Sequence, residues 1–354
     1  MRLEDEVLLA LARRLRQAET GGWTETAMRE LVDGLGWEWR HRVEPPHREH
    51  HGPVLRTGLP TGEAYLRSVR RHAVEEYTEG EEYVGLYVPV DVPEDDPVAK
   101  ADAFRRAADV LTGAFGPSSI MGVYGSPGPF YDSPASWGSP FRRWRGESDS
   151  LELRAGEQGP ELLLQPNGPV ESWHWRQSHG EPYALGGFFG VSRDPANEGL
   201  GMPGGWRTDD WDVFAHALAS VLTTLPVEVR ALGIARDLTH FGLWLGALHI
   251  YLSCDPALEL ALCDFNHTPL PEPELLALGW LAGPPDAEHL ADAAYRSPAH
   301  RPGTVDGRAL ARLVVDTARL NGHKSPRELY LVDHSQQVGE YYVQHYGLTL
   351  AEAP

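Results

Sequence analysis

Apolar positions in the first part of the chain fall three and four residues apart, the spacing that lines one face of an α-helix. Leu8, Leu11 and Leu15 mark such a face and predict a helix over 4–17, with acids in its first turn and Arg13, Arg14 and Arg16 in its last, a charge order that suits the helix dipole. Gly21-Gly22 breaks it. Met28, Leu31, Val32 and Leu35 predict a second helix over 24–35, with Thr24 as N-cap and Gly36 as the stop. The period then changes to two. Trp37, Trp39, His41 and Val43 alternate with other residues, and 64–69 and 83–90 are two further strand candidates, the latter with Val84, Leu86, Val88 and Val90 on one face. Helical spacing returns in Phe104, Ala108, Leu111 and Phe115, which predict a long helix over 98–115 closed by Gly116-Pro117.

Residues 116–140 are rich in Gly, Pro and Ser, with Tyr124, Phe130, Tyr131 and Trp137 among them, the composition of a loop that is mobile or clamped over something. Short alternating runs at 141–145, 151–154, 161–165 and 170–176, separated by turn residues, predict an antiparallel meander. In the last of them Val170, Ser172, His174 and Arg176 share one face, and Glu171, Trp173 and Trp175 the other. The segment 193–208 is poor in apolar residues. Beyond it Trp211, Phe214, Leu218, Leu222 and Leu225 predict a helix stopped by Pro226. Strands follow at 245–252 and 258–265, then helices near 272–278 and 306–320, a strand at 328–332 and a short segment at 339–346. Helix, strands, helix, strands is the order of an α+β fold. The expected division is a first α+β module over 1–192, a linker over 193–208, and a second α+β module over 209–354, each an antiparallel sheet packed with helices.

Charge narrows the partners. The 354 residues carry 51 acidic against 31 basic side chains, a formal net charge of −20. Phosphate backbones are held by clustered Lys and Arg, so neither nucleic acid nor an anionic membrane is expected. Two cysteines, Cys254 and Cys263, offer no disulfide framework. The first residues, Met-Arg-Leu-Glu-Asp-Glu, are acidic where a signal peptide starts basic, and the apolar run 241–252 is short of the ~20 residues of a membrane helix, so a cytoplasmic protein is expected.

Three patterns resemble chemistry. Gly199-x-Gly201-x-x-Gly204 matches a dinucleotide fingerprint but lacks the strand before it and holds Pro203 within it, so a linker is the better account. His47, His50 and His51 are the densest histidine cluster and define the rival reading, a metal-dependent hydrolase. Pro45-Pro46 and Gly52-Pro53 oppose the helix that would aim two of these imidazoles at one metal. Asp333-His334-Ser335 places triad residue types side by side, where an extended chain points them to opposite faces. No Gly-x-Ser-x-Gly elbow or phosphate-cradling Gly-x-x-x-x-Gly-Lys motif is present. Catalysis, a cofactor and a metal are therefore not expected.

Trp211-x-x-Phe214, Leu218-Ala219, Leu225-Pro226, Asn266 with Leu270-Pro271, Leu278-Gly279-Trp280 before Pro284-Pro285, and the helix 309–320 give the second half its character. In that order and spacing they resemble the TY-Chap domains, a group named for similarity to type III secretion chaperones and YbjN proteins, over about residues 209–332. Where those domains often carry an Asn-Trp-Trp-like segment, this chain has 289–295. Gly36-Trp37, the helix about Phe104 and Arg143-Trp144-Arg145-Gly146 make the first half similar to an uncharacterised actinobacterial family. Both groups occur in bacterial conflict systems, around polymorphic toxins and immunity proteins. The resemblance implies a chaperone-like, non-enzymatic protein whose partner is another protein, such as a toxin or secreted effector.

Tryptophan is enriched where proteins bind one another, because it supplies large area and one donor. On that ground Trp173, Trp175, Trp137, Tyr131 and Tyr124 are the candidate binding residues. Limited proteolysis checks the division into modules: the first cut is expected within 193–208 or 116–140, and a first cut inside 211–225 contradicts it.

Overall fold

The computed structural model describes residues 1–40, 52–69, 78–124, 135–178, 188–197, 200, 208–234, 241–245, 248–254, 257–264, 270–283, 294–332, 335–345 and 351–352. The chain opens with α1 (Asp5–Arg16) and α2 (Glu25–Leu35), whose Thr24 cap accepts the Ala27 N–H at 3.4 Å and whose exit runs through Gly36 at φ 76°. Strands β1 (Glu38–Arg40), β2 (Val54–Arg56), β3 (Ala64–Ser68) and β4 (Tyr83–Pro89) precede α3 (Pro97–Phe115), which Asp96 caps through Ala99. Then come β5 (Ile120–Val123), β6 (Pro140–Arg145), β7 (Asp149–Ala155), β8 (Pro160–Pro166), α4 (Asn167–Ser178) and β9 (Phe188–Ser192). The second half runs α5 (Trp211–Leu232), β10 (Phe241–Leu245), β11 (Leu248–Cys254), β12 (Leu258–Asp264), α6 (Glu272–Leu278), β13 (Leu281–Ala282) and β14 (Tyr295–Arg296). It ends with α7 (Gly307–Leu320), β15 (Tyr330–Val332), β16 (Ser335–Val338), β17 (Tyr341–His345) and β18 (Ala351–Glu352).

These strands form two sheets, in the orders β1-β2-β3-β4-β8-β7-β6-β5-β9-β17-β16 and β13-β14-β12-β11-β10-β15-β18. Every pairing is antiparallel except the two-residue match of β15 with β18, so the fold is α+β as the sequence implies. The helix α5 lies between the sheets. The first sheet packs on α1 and α3, while α5 touches β5 and β6 of the first sheet, β11 and β12 of the second, and both α3 and α7. At Gly307 α7 starts so close to α5 that a Cβ there would lie 2.2 Å from Thr223 Oγ1.

Several expectations are corrected. The run 170–176 lies within α4 and is no strand, and β5 and β9 lie in stretches expected to be a loop or to border the linker. The hairpin β16–β17, expected in the second module, pairs with β9 and completes the first sheet. Val84 does not share a face with Leu86, because Arg67 and Ser68 of β3 pair with Gly85 and Tyr83, leaving Val84 as an extra residue that reverses the alternation. Val84 therefore packs with Tyr87, while Leu86, Val88 and Val90 face the main core. Pro226 does not stop α5, which continues to the left-handed cap at Gly233. An interior proline costs about 3 kcal/mol. Burial of Val227, Val229 and Leu232 just beyond it contributes roughly 5 kcal/mol or more, so the helix runs on. This helix is also long and apolar enough to cross a membrane, but over half of it is buried inside the fold, as in a core helix.

One carboxylate sits in this core. Glu228 of α5 is buried, and its Oε1 accepts the Ser139 N–H at 3.0 Å. Burial raises its pKa to about 7, against the opposing hydrogen bonds from Ser139 and Thr224. A carboxyl raised in the folded state stabilises the fold fully below its unfolded pKa of about 4.5, and that contribution is lost as pH rises through about 7. Glu228→Gln is therefore expected to be more stable than the parent above pH 7, by about 3 kcal/mol, with the difference vanishing towards pH 4.5. Urea unfolding of both proteins across that window measures it, and parallel pH profiles contradict it.

Candidate functional site

Alternation along β6, β7 and β8 puts Trp144, Leu151, Leu153, Leu162 and Leu164 towards the main core and Arg143, Glu152, Arg154 and Glu161 on the other face. Arg143, Glu152 and Leu163 lie opposite one another across the three strands, and Phe141, Arg154 and Glu161 form the next row. Such a polar face normally meets water. Here it is covered: Arg143 is 3% exposed and Glu152 is fully buried, beneath α4.

The cover is pinned at its start. Asn167 takes the Ser148 carbonyl with its own N–H, bonds the Ser150 hydroxyl, and donates its side-chain amide to Gly146 O and Glu147 O at 3.0 and 3.3 Å. One turn on, Glu171 receives a two-pronged contact from Arg145 at 2.5 and 3.2 Å. Both anchors hold α4 to the turn between β6 and β7. A 3.6-residue period then sends Val170, Trp173 and His174 down and leaves Trp175, about 200° from Trp173, pointing out.

Beneath α4 lies an aromatic layer with charges threaded through it. Tyr124 stacks on Phe141 at 4.4 Å between centroids, and Trp173 sits 5.8 Å from Tyr124. His174 meets the edge of Phe189. Arg143 donates through Nε to Glu152 Oε2 at 2.8 Å and through Nη2 to the Tyr124 hydroxyl at 2.6 Å. Gln165 adds a third donor, Nε2 to the same Glu152 oxygen at 3.1 Å. Further along the face Tyr65 and Tyr87 stack at 4.6 Å, and burial, the largest cause, raises the hydroxyl pKa of both. The other Glu152 oxygen, Oε1, is buried with no hydrogen-bond partner among the described residues, so the pair fixes the strand register rather than adding much net stability.

Of the five expected binding residues, Trp173, Tyr124 and Trp137 are buried, and Trp173 does not share a face with Trp175 as a strand would require. Trp137 instead donates its indole N–H to Gly156 O at 2.8 Å. Trp175 is 58% exposed. Tyr131 lies outside the described residues, as do His47, His50 and His51, the glycines of the dinucleotide-like pattern, Asp333 and His334. Cys254 and Cys263 are buried on neighbouring strands without a disulfide, and among the described residues no group of three or more His, Cys, Asp or Glu gathers as for a metal. The chain matches no protein-family profile, no curated protein and no solved structure.

The sequence analysis missed Arg143, Glu152, Gln165 and His174. Its rule assigns alternate charged positions on a strand to solvent, and nothing local says that α4 covers them. Truncating one partner leaves the other buried and uncompensated, which typically costs about 3–5 kcal/mol. Glu152→Ala is expected to lose that much unfolding free energy in urea, and a loss below about 1 kcal/mol contradicts a network closed over this carboxylate.

Proposed function

We propose that this chain works by binding another protein, through the outer surface of α4 around Trp175. The observation that carries the reading is the placement of one large aromatic, 58% exposed, on a helix whose other face is tied down by Asn167, Glu171 and the buried Trp173. A rigid aromatic loses little conformational freedom on binding and brings much apolar area, which is why tryptophan recurs at interface hot spots. The resemblance to TY-Chap domains and to a family found at toxin and immunity loci supports a role in immunity or sensing within a bacterial conflict system, in the cytoplasm, without catalysis. The partner in that reading is a toxin or secreted effector.

The test pairs two tryptophans that the helix period separates. The partner is first captured from the source cells, and its affinity is then measured with purified proteins. Trp175→Ala is expected to keep the thermal midpoint of the parent and to weaken binding roughly thirtyfold, the effect of losing about 2 kcal/mol at a hot spot. Trp173→Ala is expected to lose about 3–5 kcal/mol of stability, as for a large aromatic removed from a core. Undiminished binding by a well-folded Trp175→Ala variant removes this surface from consideration.

A further inference from the structure

A hollow lies away from α4, where the C-terminal end of α5 meets α3 and the hairpin β16–β17. It measures about 640 Å³, the size of a small-molecule site. Its walls are of two kinds. Pro117, Ile234, Val338 and Tyr341 supply apolar surface, and Arg105, Arg142 and Arg230 supply three guanidinium groups.

The three cations are not equivalent. Arg230 is held by Asp102 at 2.6 and 2.9 Å, and Arg105 by Asp109 at 2.9 and 3.1 Å. Arg105 lies flat over Gly233, where a Cβ would fall 1.0 Å from its Nη1, so only glycine both turns the helix end at φ 66° and leaves room for that guanidinium. Arg142 forms no ion pair among the described residues. It donates one N–H to Leu232 O at 2.8 Å and stands 6.0 Å from the centre of the Tyr341 ring, itself held by a hydroxyl contact to Ser118. Its Nε is shut off from solvent and has no hydrogen-bond partner among the described residues. Burial is the largest cause of a lowered Arg142 pKa, offset only in part by Tyr341 and the Asp109 carboxylate.

Capping the end of α5 explains one hydrogen bond from Arg142, but not a hollow beside it. Glu340 in the lining disfavours a multiply charged anion, and the apolar wall disfavours a purely polar one. We propose that this cavity binds an apolar group carrying a single carboxylate, either a free small acid or the C-terminal residue of a peptide, with Arg142 as the group that receives the carboxylate. The site is separate from the Trp175 surface, and neither reading depends on the other.

Phenylacetate and a short peptide ending in free phenylalanine, each against its neutral amide, test this on the full chain by titration calorimetry or ligand-observed NMR. An acid with about ten heavy atoms is expected to bind with a Kd on the order of millimolar. The amides are expected to bind at least about tenfold more weakly, since a hydrogen bond to a charged group is at stake. Arg142→Gln should remove the preference for acid over amide. Thr112→Trp, which fills the hollow from α3 and leaves Arg142 in place, should abolish binding altogether and decides the matter if Arg142→Gln folds poorly. Binding of phenylacetate alone identifies the ligand as a free acid, and binding of the peptide alone as a chain terminus. No saturable binding of either acid, equal binding of the amides, or binding that survives Thr112→Trp overturns the proposal.

Discussion

A helix that is apolar on nearly every side has to be covered on nearly every side, because each exposed side chain forfeits the free energy of leaving water. That is the condition of α5, from Phe214 to Leu232. One sheet covers one side of it and the other sheet another, with α3 and α7 filling the gaps, so that a single apolar core runs through both halves of the molecule. The continuation past Pro226 follows from the same condition, since ending the helix there would strand Val227, Val229 and Leu232. Glu228 is the exception tolerated inside it, and burial away from water is the largest cause of its raised pKa.

Much of the architecture was legible in the sequence because it is decided locally. Thr24 and Gly36 bracket α2 through bonds made within a few residues, and Asp96 with Pro97 starts α3 in the same way. The errors arise where a distant contact overrides the local pattern. An alternation rule takes no account of a bulge, so Val84 was assigned to the wrong face. In 167–178 alternating aromatics outweighed cues that were present, Asn167 as a capping type and Pro169 in a first turn, and a helix was read as a strand.

The candidate surface was legible only in part, and for the same reason. Composition singles out tryptophan, but whether a tryptophan is anchor or core depends on the angle to its neighbours. Two residues apart on a strand share a face, whereas two apart on a helix oppose each other, so Trp173 and Trp175 exchange a common fate for contrary ones. The buried pair Arg143 and Glu152 is illegible in any local window, since its cover comes from α4. Arg142 differs from Arg143 by one position and by a whole face of the sheet, and only the fold shows that one meets a carboxylate and the other a hollow.

The order of strands also sets a schedule for synthesis. The neighbour of β9 is β17, and the roughly 150 residues between Ser192 and Tyr341 take on the order of ten to thirty seconds to translate at typical elongation rates. Until then Phe188–Ser192 presents an unpaired edge, the template on which foreign strands add. A nascent chain of this protein thus carries that open edge for roughly 150 of its 354 residues of synthesis, and any truncation that removes Tyr341–His345 leaves it open for good.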